Sequence, residues 1–148
     1  DNPHKDLRRA RGCTQSIVTT TTGIGKALKN VIPHLADRIF GLALRVPVPD
    51  VSIADMTLTL SRSADVHELR SAICSLNPSI LDVCDEPLVS ADFVGDTRSS
   101  VVDGLSLEVH GRQVKILSWY DNEWGYSCRV ADMAELVANT MKFTVKAG

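Results

Sequence analysis

LSLEVHGRQVKILSWY, residues 105–120, decides the fold. Leu105, Leu107 and Val109 alternate with polar neighbours, His110-Gly111-Arg112 supplies a turn, and residues 114–119 return. Two runs of period two joined through a glycine predict an antiparallel hairpin. Upstream, residues 51–60 are rich in β-branched and aliphatic side chains and read as a long strand. Residues 65–76 read as a helix with Val66, Leu69, Ala72 and Ile73 inward, and 80–83 and 89–93 as short strands. Downstream, residues 126–141 set Val130, Met133, Ala134, Val137 and Met141 on one helical face.

The N-terminal third opens its helix behind a threonine suited to N-capping, Thr22, with Ile24, Ala27, Leu28, Val31 and Ile32 spaced at three and four. Pro33 disfavours the helical state for Ile32 and closes it. The apolar run 39–48, ending in Pro47 and Pro49, reads as a buried strand leaving a sheet. The clustering of strands predicts an α+β fold: a mixed, largely antiparallel sheet covered by helices. A doubly wound nucleotide fold needs strands that alternate with helices, and this order does not supply them.

The 148 residues are 44% hydrophobic and 23% charged. A chain of that length buries about two-thirds of its unfolded surface, enough for one core. A net charge of −2 argues against a strongly basic nucleic-acid module and an acidic tail alike. The four cysteines, Cys13, Cys74, Cys84 and Cys128, are too widely spaced for a zinc knuckle or a redox pair and suit a reducing compartment. The longest nearly apolar stretch, 39–44, is far too short to cross a bilayer, so no membrane association is expected. The opening Asp1-Asn2-Pro3, without methionine or a secretory leader, reads as a piece of something longer.

Three places invite chemistry. Gly23-Ile24-Gly25-Lys26 lacks the glycine spacing and hydroxyl of a nucleotide phosphate loop. The threonines before Gly23 nevertheless put a helix N-terminus where an anion is favoured, or else form a simple cap. The basic run 5–11, with Lys5, Arg8, Arg9 and Arg11, is either a solvated loop or a phosphate-recognising one. Arg45 interrupts the apolar Leu42-Ala43-Leu44-Arg45-Val46 and needs an ion-pair partner or a ligand. Every tryptophan and tyrosine lies within Trp119-Tyr120-Asp121-Asn122-Glu123-Trp124-Gly125-Tyr126, either a hydrophobic corner or an aromatic, amide-bearing wall for a planar cofactor. His4, His34, His67 and His110 stand far apart beside no nucleophile, and Cys84 sits among acids that disfavour a thiolate.

Ser118-Trp119-Tyr120-Asp121-Asn122-Glu123-Trp124-Gly125-Tyr126-Ser127 resembles the C-terminal signature of phosphorylating glyceraldehyde-3-phosphate dehydrogenase. Segments 3–11, 20–23, 44–47 with Val51-Ser52, 86–93 and 99–103 resemble that family in family order. The resemblance implies a catalytic C-terminal domain over 1–148, incomplete at its N-terminal edge, with 1–15 part of a loop between subunits. The family's cysteine nucleophile and histidine base lie upstream of that loop, so no catalytic residue is expected in this chain and the chain alone is expected to be inactive. By position, Arg9 resembles the loop arginine that contacts a phosphate. Thr22 and Gly23 resemble the pair that binds inorganic phosphate, and Arg45 the arginine that holds the substrate's phosphate. Asn122 resembles the amide that fixes the nicotinamide, with Tyr126 packing beside it. No metal is expected.

The resemblance further implies thiohemiacetal formation from glyceraldehyde 3-phosphate, hydride transfer to NAD, and attack of inorganic phosphate on the thioester, in a homotetramer of the cytoplasm, with a plastid as the alternative compartment. Asn2 replaces the apolar residue usual before Pro3, in the loop by which the family sorts NAD from NADP, so NADP stays open beside NAD. Erythrose-4-phosphate dehydrogenase shares the architecture, although Tyr120, Tyr126 and Ser127 look more like the glyceraldehyde form. A non-catalytic assembly module is the reading from a different class.

Overall fold

A computed structural model describes residues 3–145, so Asp1 and Asn2 lie outside the described residues. The chain divides into two units, one ending at Pro49 and the other starting at Asp50.

The first unit is small. Strand β1 (Val18–Thr20) pairs antiparallel with β2 (Ala43–Arg45), and between them run α1 (Ile24–Val31) and a 3-10 turn, Ala36–Arg38. The expected buried strand over 39–48 is corrected here. Only three residues pair, and Phe40, Leu42 and Leu44 are exposed, because a two-stranded ribbon has no second layer to cover them. Among the described residues of this unit, only Val18 and Ala36 are buried. Thr22 is not the N-cap of α1. Gly23 takes that position, and Thr22 Oγ1 accepts the Ile24 N–H at 3.2 Å, a local hydroxyl turn one residue earlier.

The second unit carries a five-stranded mixed sheet in the order β3 (Ser52–Thr59), β7 (Gln113–Tyr120), β5 (Ser100–Asp103), β4 (Leu81–Cys84), with β6 (Glu108–His110) also on β7. All pairings are antiparallel except β4 with β5. The predicted hairpin is β6–β7: His110 pairs with Gln113, leaving Gly111 and Arg112 as a two-residue loop. Gly111 has φ +62 at the first loop position, where glycine carries no steric penalty. Leu105 does not join the strand, because Asp103 accepts the N–H groups of Leu105 and Ser106 and winds 104–106 into a 3-10 turn.

Val101 and Val102 are adjacent and point to opposite faces of the sheet, so each seeds its own core. On one face Val102, Val114, Ile116 and Leu107 are buried under Met56, Leu69 and Ile73. Leu69 and Ile73 come from α2 (Val66–Cys74), started by Asp65, whose side chain accepts the Glu68 N–H at 2.8 Å. Val66 and Ala72, expected inward, are exposed, since so short a helix presents only one narrow stripe to the sheet. On the other face Val101 packs with Val51 and Phe93, and Trp119 stacks on Phe93 with ring centroids 5.4 Å apart. The predicted strand over 89–93 is a 3-10 turn, Ser90–Phe93: the Asp92 carboxylate accepts the Val89 N–H and curls the chain before it can pair. The last helix, α3 (Trp124–Val145), starts two residues earlier than expected. No helix among the described residues is long and apolar enough to cross a membrane.

Candidate functional site

The densest polar constellation of the second unit stands where β7 gives way to α3. The strand ends at Tyr120 opposite Ser52, and the chain turns through Asp121, Asn122 and Glu123. Asp121 makes that turn. Its Oδ1 accepts the N–H groups of Trp124 (2.7 Å) and Glu123 (3.1 Å), and its Oδ2 accepts the N–H of Gly95 at 2.8 Å. The carboxylate is buried yet fully partnered, and the backbone donors, Gly95 foremost and then Trp124, hold its pKa below the ordinary carboxylate value.

Asn122 projects from the apex. Its Oδ1 accepts from Ser52 Oγ at 2.5 Å and its Nδ2 donates to Asp50 Oδ1 at 3.3 Å. A side-chain amide has two N–H donors and two lone pairs, so each end of Asn122 keeps one unused. That remainder is the complement of another carboxamide. The two tryptophans that flank Asn122 in the sequence do not hold this side chain. Trp119 turns away onto Phe93 and Trp124 is about half exposed, so hydrogen bonds with Ser52, the first residue of β3, and with Asp50 just before it hold the amide. The expected aromatic wall is therefore divided, and Tyr126, one turn along α3, is 72% exposed.

Between the two anchors of Asn122 lies Val51, buried, with φ +71. Among the described residues it is the one non-glycine with positive φ, and a β-branched side chain pays about 1–3 kcal/mol for that conformation. Asp50 Oδ1 accepts the N–H of Val51 at 2.6 Å and pins the strained residue. On the far side, Gly125 packs so closely that a Cβ there would lie 2.7 Å from the carbonyl oxygen of Arg98. Arg98 is held by Asp96 and Asp82, at 2.5 and 2.8 Å, and these pairs raise its pKa while Arg98 lowers that of Asp96. Arg129 ties α3 to the same loop through Ser99 Oγ (3.3 Å) and to the connection before β4 through the Ser79 carbonyl (3.4 Å).

Asp50, Asp121 and Glu123 have carboxylate oxygens within 4.8 Å of one another, the arrangement among the described residues that could hold a metal ion. Asp121 already accepts three backbone N–H groups, which take most of its lone pairs.

In the first unit, Thr22 and Gly23 lie between β1 and α1, and Arg45 stands opposite Val18 at the other end of the short ladder. All three side-chain or backbone positions are exposed, as is Arg9. Arg8, rather than Arg9, is the loop arginine fastened to the ribbon, through Thr19 Oγ1 at 2.7 Å. A cleft of about 310 Å³ is lined by Arg8, Arg11, Ser16, Ile17, Val18 and Thr19, and none of the four expected phosphate residues lines it. The sequence signal for Arg8 and Arg11 was the basic run itself. Asp121 stood within the aromatic motif, but its bond to Gly95 and the meeting of Asp50 and Ser52 with Asn122 join residues that lie far apart along the chain.

Comparison with known proteins supplies a name for this architecture. The family model described as glyceraldehyde 3-phosphate dehydrogenase, C-terminal domain, matches residues 1–122. The chain is 52% identical over 147 residues to glyceraldehyde-3-phosphate dehydrogenase 2 of Bacillus subtilis strain 168, which covers 96% of this chain and 43% of that protein. It is 46% identical over 151 residues to glyceraldehyde-3-phosphate dehydrogenase 2 of Staphylococcus aureus strain N315, covering 99% of this chain and 44% of that protein. The chain thus spans less than half the length of these relatives. With a mixed sheet of the expected class and a family match across most of its length, the chain belongs to the glyceraldehyde 3-phosphate dehydrogenase family, in its C-terminal domain.

Proposed function

We propose that this chain is the catalytic C-terminal domain of an NAD-dependent, phosphorylating glyceraldehyde-3-phosphate dehydrogenase, an oligomer acting in the cytoplasm on glyceraldehyde 3-phosphate and inorganic phosphate. The observation that carries the reading is the Asn122 amide, anchored along one edge by Ser52 and Asp50 and left with one donor and one acceptor. That donor set fits a nicotinamide carboxamide: Nδ2 gives its second N–H to the carboxamide oxygen, and Oδ1 accepts from the carboxamide nitrogen. NAD, when bound, supplies the hydride acceptor. Asn122 selects which face of the ring meets the substrate, and Tyr126 flanks the ring.

Two oxyanion sites belong to the first unit. Thr22 and Gly23 offer a hydroxyl and the start of α1 to inorganic phosphate, whose charge the helix terminus favours. Arg45 holds the phosphate of the substrate and Arg9 contacts a phosphate from the loop, each by directed guanidinium bonds. The 148 residues alone carry no dehydrogenase activity in this reading, because covalent catalysis needs a thiolate and a base that the family keeps upstream.

The test is Arg45→Ala in the complete protein. A charged hydrogen bond of about 1.5–3 kcal/mol corresponds to roughly a 10- to 150-fold loss in kcat/KM for glyceraldehyde 3-phosphate. The unphosphorylated aldehyde should be little affected. Equal losses on both substrates would remove Arg45 from phosphate recognition.

A further inference from the structure

Asn122 can serve a carboxamide only if its own amide faces the right way. A flip by half a turn exchanges donor and acceptor, and the two ends have nearly the same shape. Two groups touch the anchored edge. Ser52 is a hydroxyl, which donates or accepts with equal ease and so tolerates either orientation. Asp50 Oδ1 is a carboxylate oxygen that already receives the Val51 N–H and offers its lone pairs to the amide, so it matches the amide nitrogen, which lies 3.3 Å away. The choice between the two orientations rests on Asp50.

We propose that Asp50 is a positioning residue for cofactor binding: by accepting from Asn122 Nδ2 it fixes the orientation of that amide and thereby which edge of a ligand carboxamide Asn122 reads. The inference rests on the nicotinamide reading of Asn122 given above. The backbone supports it. Asp50 and Ser52 flank Val51, whose buried side chain belongs to the core with Phe93 and Val101. The N–H of Val51 donates to the same Asp50 oxygen that receives Asn122. One carboxylate oxygen therefore holds both the left-handed residue of the strand entry and the amide that follows β7 at the same end of the β3–β7 ladder. Asp121 fixes the backbone of Asn122 from below through its bonds to Gly95, Glu123 and Trp124, and leaves the side-chain flip undecided.

The experiment is equilibrium binding to the complete protein of NAD and of its 3-acetylpyridine analogue, in which a methyl ketone replaces the carboxamide. The analogue keeps the oxygen that Asn122 Nδ2 reads and lacks the N–H that Oδ1 reads. The native protein should prefer NAD by about tenfold, the weight of one well-made hydrogen bond. Asp50→Ala should abolish most of that preference while both ligands still bind, and Asp50→Asn, which donates as readily as it accepts, should not restore it. If Asp50→Ala does not fold, Asp50→Ser, too short to reach Nδ2, takes its place. The fraction of hydride delivered to the wrong ring face, followed with deuterated substrate, should rise in step. A uniform weakening of both ligands, with the preference intact, would overturn the positioning role of Asp50. The Asn122→Ala variant separates the two claims: if it also keeps the preference, the nicotinamide reading fails, and if it loses the preference while Asp50→Ala keeps it, only the role of Asp50 fails.

Discussion

The N–H of Gly95 donates to Asp121 Oδ2 over 2.8 Å, joining the loop before β5 to the start of α3. Gly95 has φ +78, a left-handed conformation open to glycine, and this turns its N–H toward the carboxylate. The turn that carries Asn122 is thus closed from outside its own segment. Asp121→Ala removes the acceptor of two backbone donors at the helix start and of a third, Gly95, in the loop before β5, and should cost about 0.5–2 kcal/mol, read as a lower thermal midpoint.

The same carboxylate gives a dependence on pH. The backbone N–H groups of Gly95 and Trp124 hold its folded pKa below the unfolded value. Its stabilisation is therefore complete above the unfolded pKa of about 3.9 and is lost as pH falls through the lower folded value. Asp96, lowered by Arg98, acts in the same direction. The difference in thermal midpoint between the native protein and Asp121→Ala should be full at neutral pH and shrink below the unfolded value. A difference that grows on acidification would contradict the assignment.

Gly125→Ala places a Cβ 2.7 Å from the Arg98 carbonyl oxygen, a backbone atom that cannot rotate away. Helix α3 must shift at its first turn, with an expected cost of about 1–3 kcal/mol by chemical denaturation. An unchanged denaturation midpoint would show that the approach is looser than described.

At Val51 the usual order of substitutions should reverse. Within strands glycine is normally worse than alanine, by roughly 0.5–1 kcal/mol. Here φ +71 penalises any side chain, so Val51→Gly sheds strain that Val51→Ala retains, while both lose the contacts to Phe93 and Val101. The glycine variant should be the more stable of the two, and the opposite order would show that the strand entry is unstrained.

The sheet was legible because its signal is local. Alternation at 105–109 and 114–119, the glycine turn at 111 and the Asp65 cap all act within a few residues. The run 39–48 misled because apolar content reports an appetite for burial, whereas Leu42 and Leu44 meet no second layer in their unit. Residues 89–93 misled because one carboxylate, Asp92, outweighed the β-branched Val89 and the aromatic Phe93. At the site, Asn122 and Asp121 stood inside a legible motif, while Asp50 and Ser52 are 72 and 70 residues away from Asn122. Their meeting depends on the β3–β7 register, which no spacing in the sequence reveals.

The central claim is that this chain completes a phosphorylating aldehyde dehydrogenase through Asn122. It is tested most directly by single-turnover NADH formation from glyceraldehyde 3-phosphate in the complete protein, native and Asn122→Ala, with folding checked by thermal midpoint. The account predicts phosphate-dependent turnover in the native protein and a loss of roughly 5- to 150-fold in hydride transfer in the variant, the effect of about 1–3 kcal/mol felt in the transition state. A folded Asn122→Ala protein that transfers hydride at the native rate and binds NAD with native affinity would contradict it.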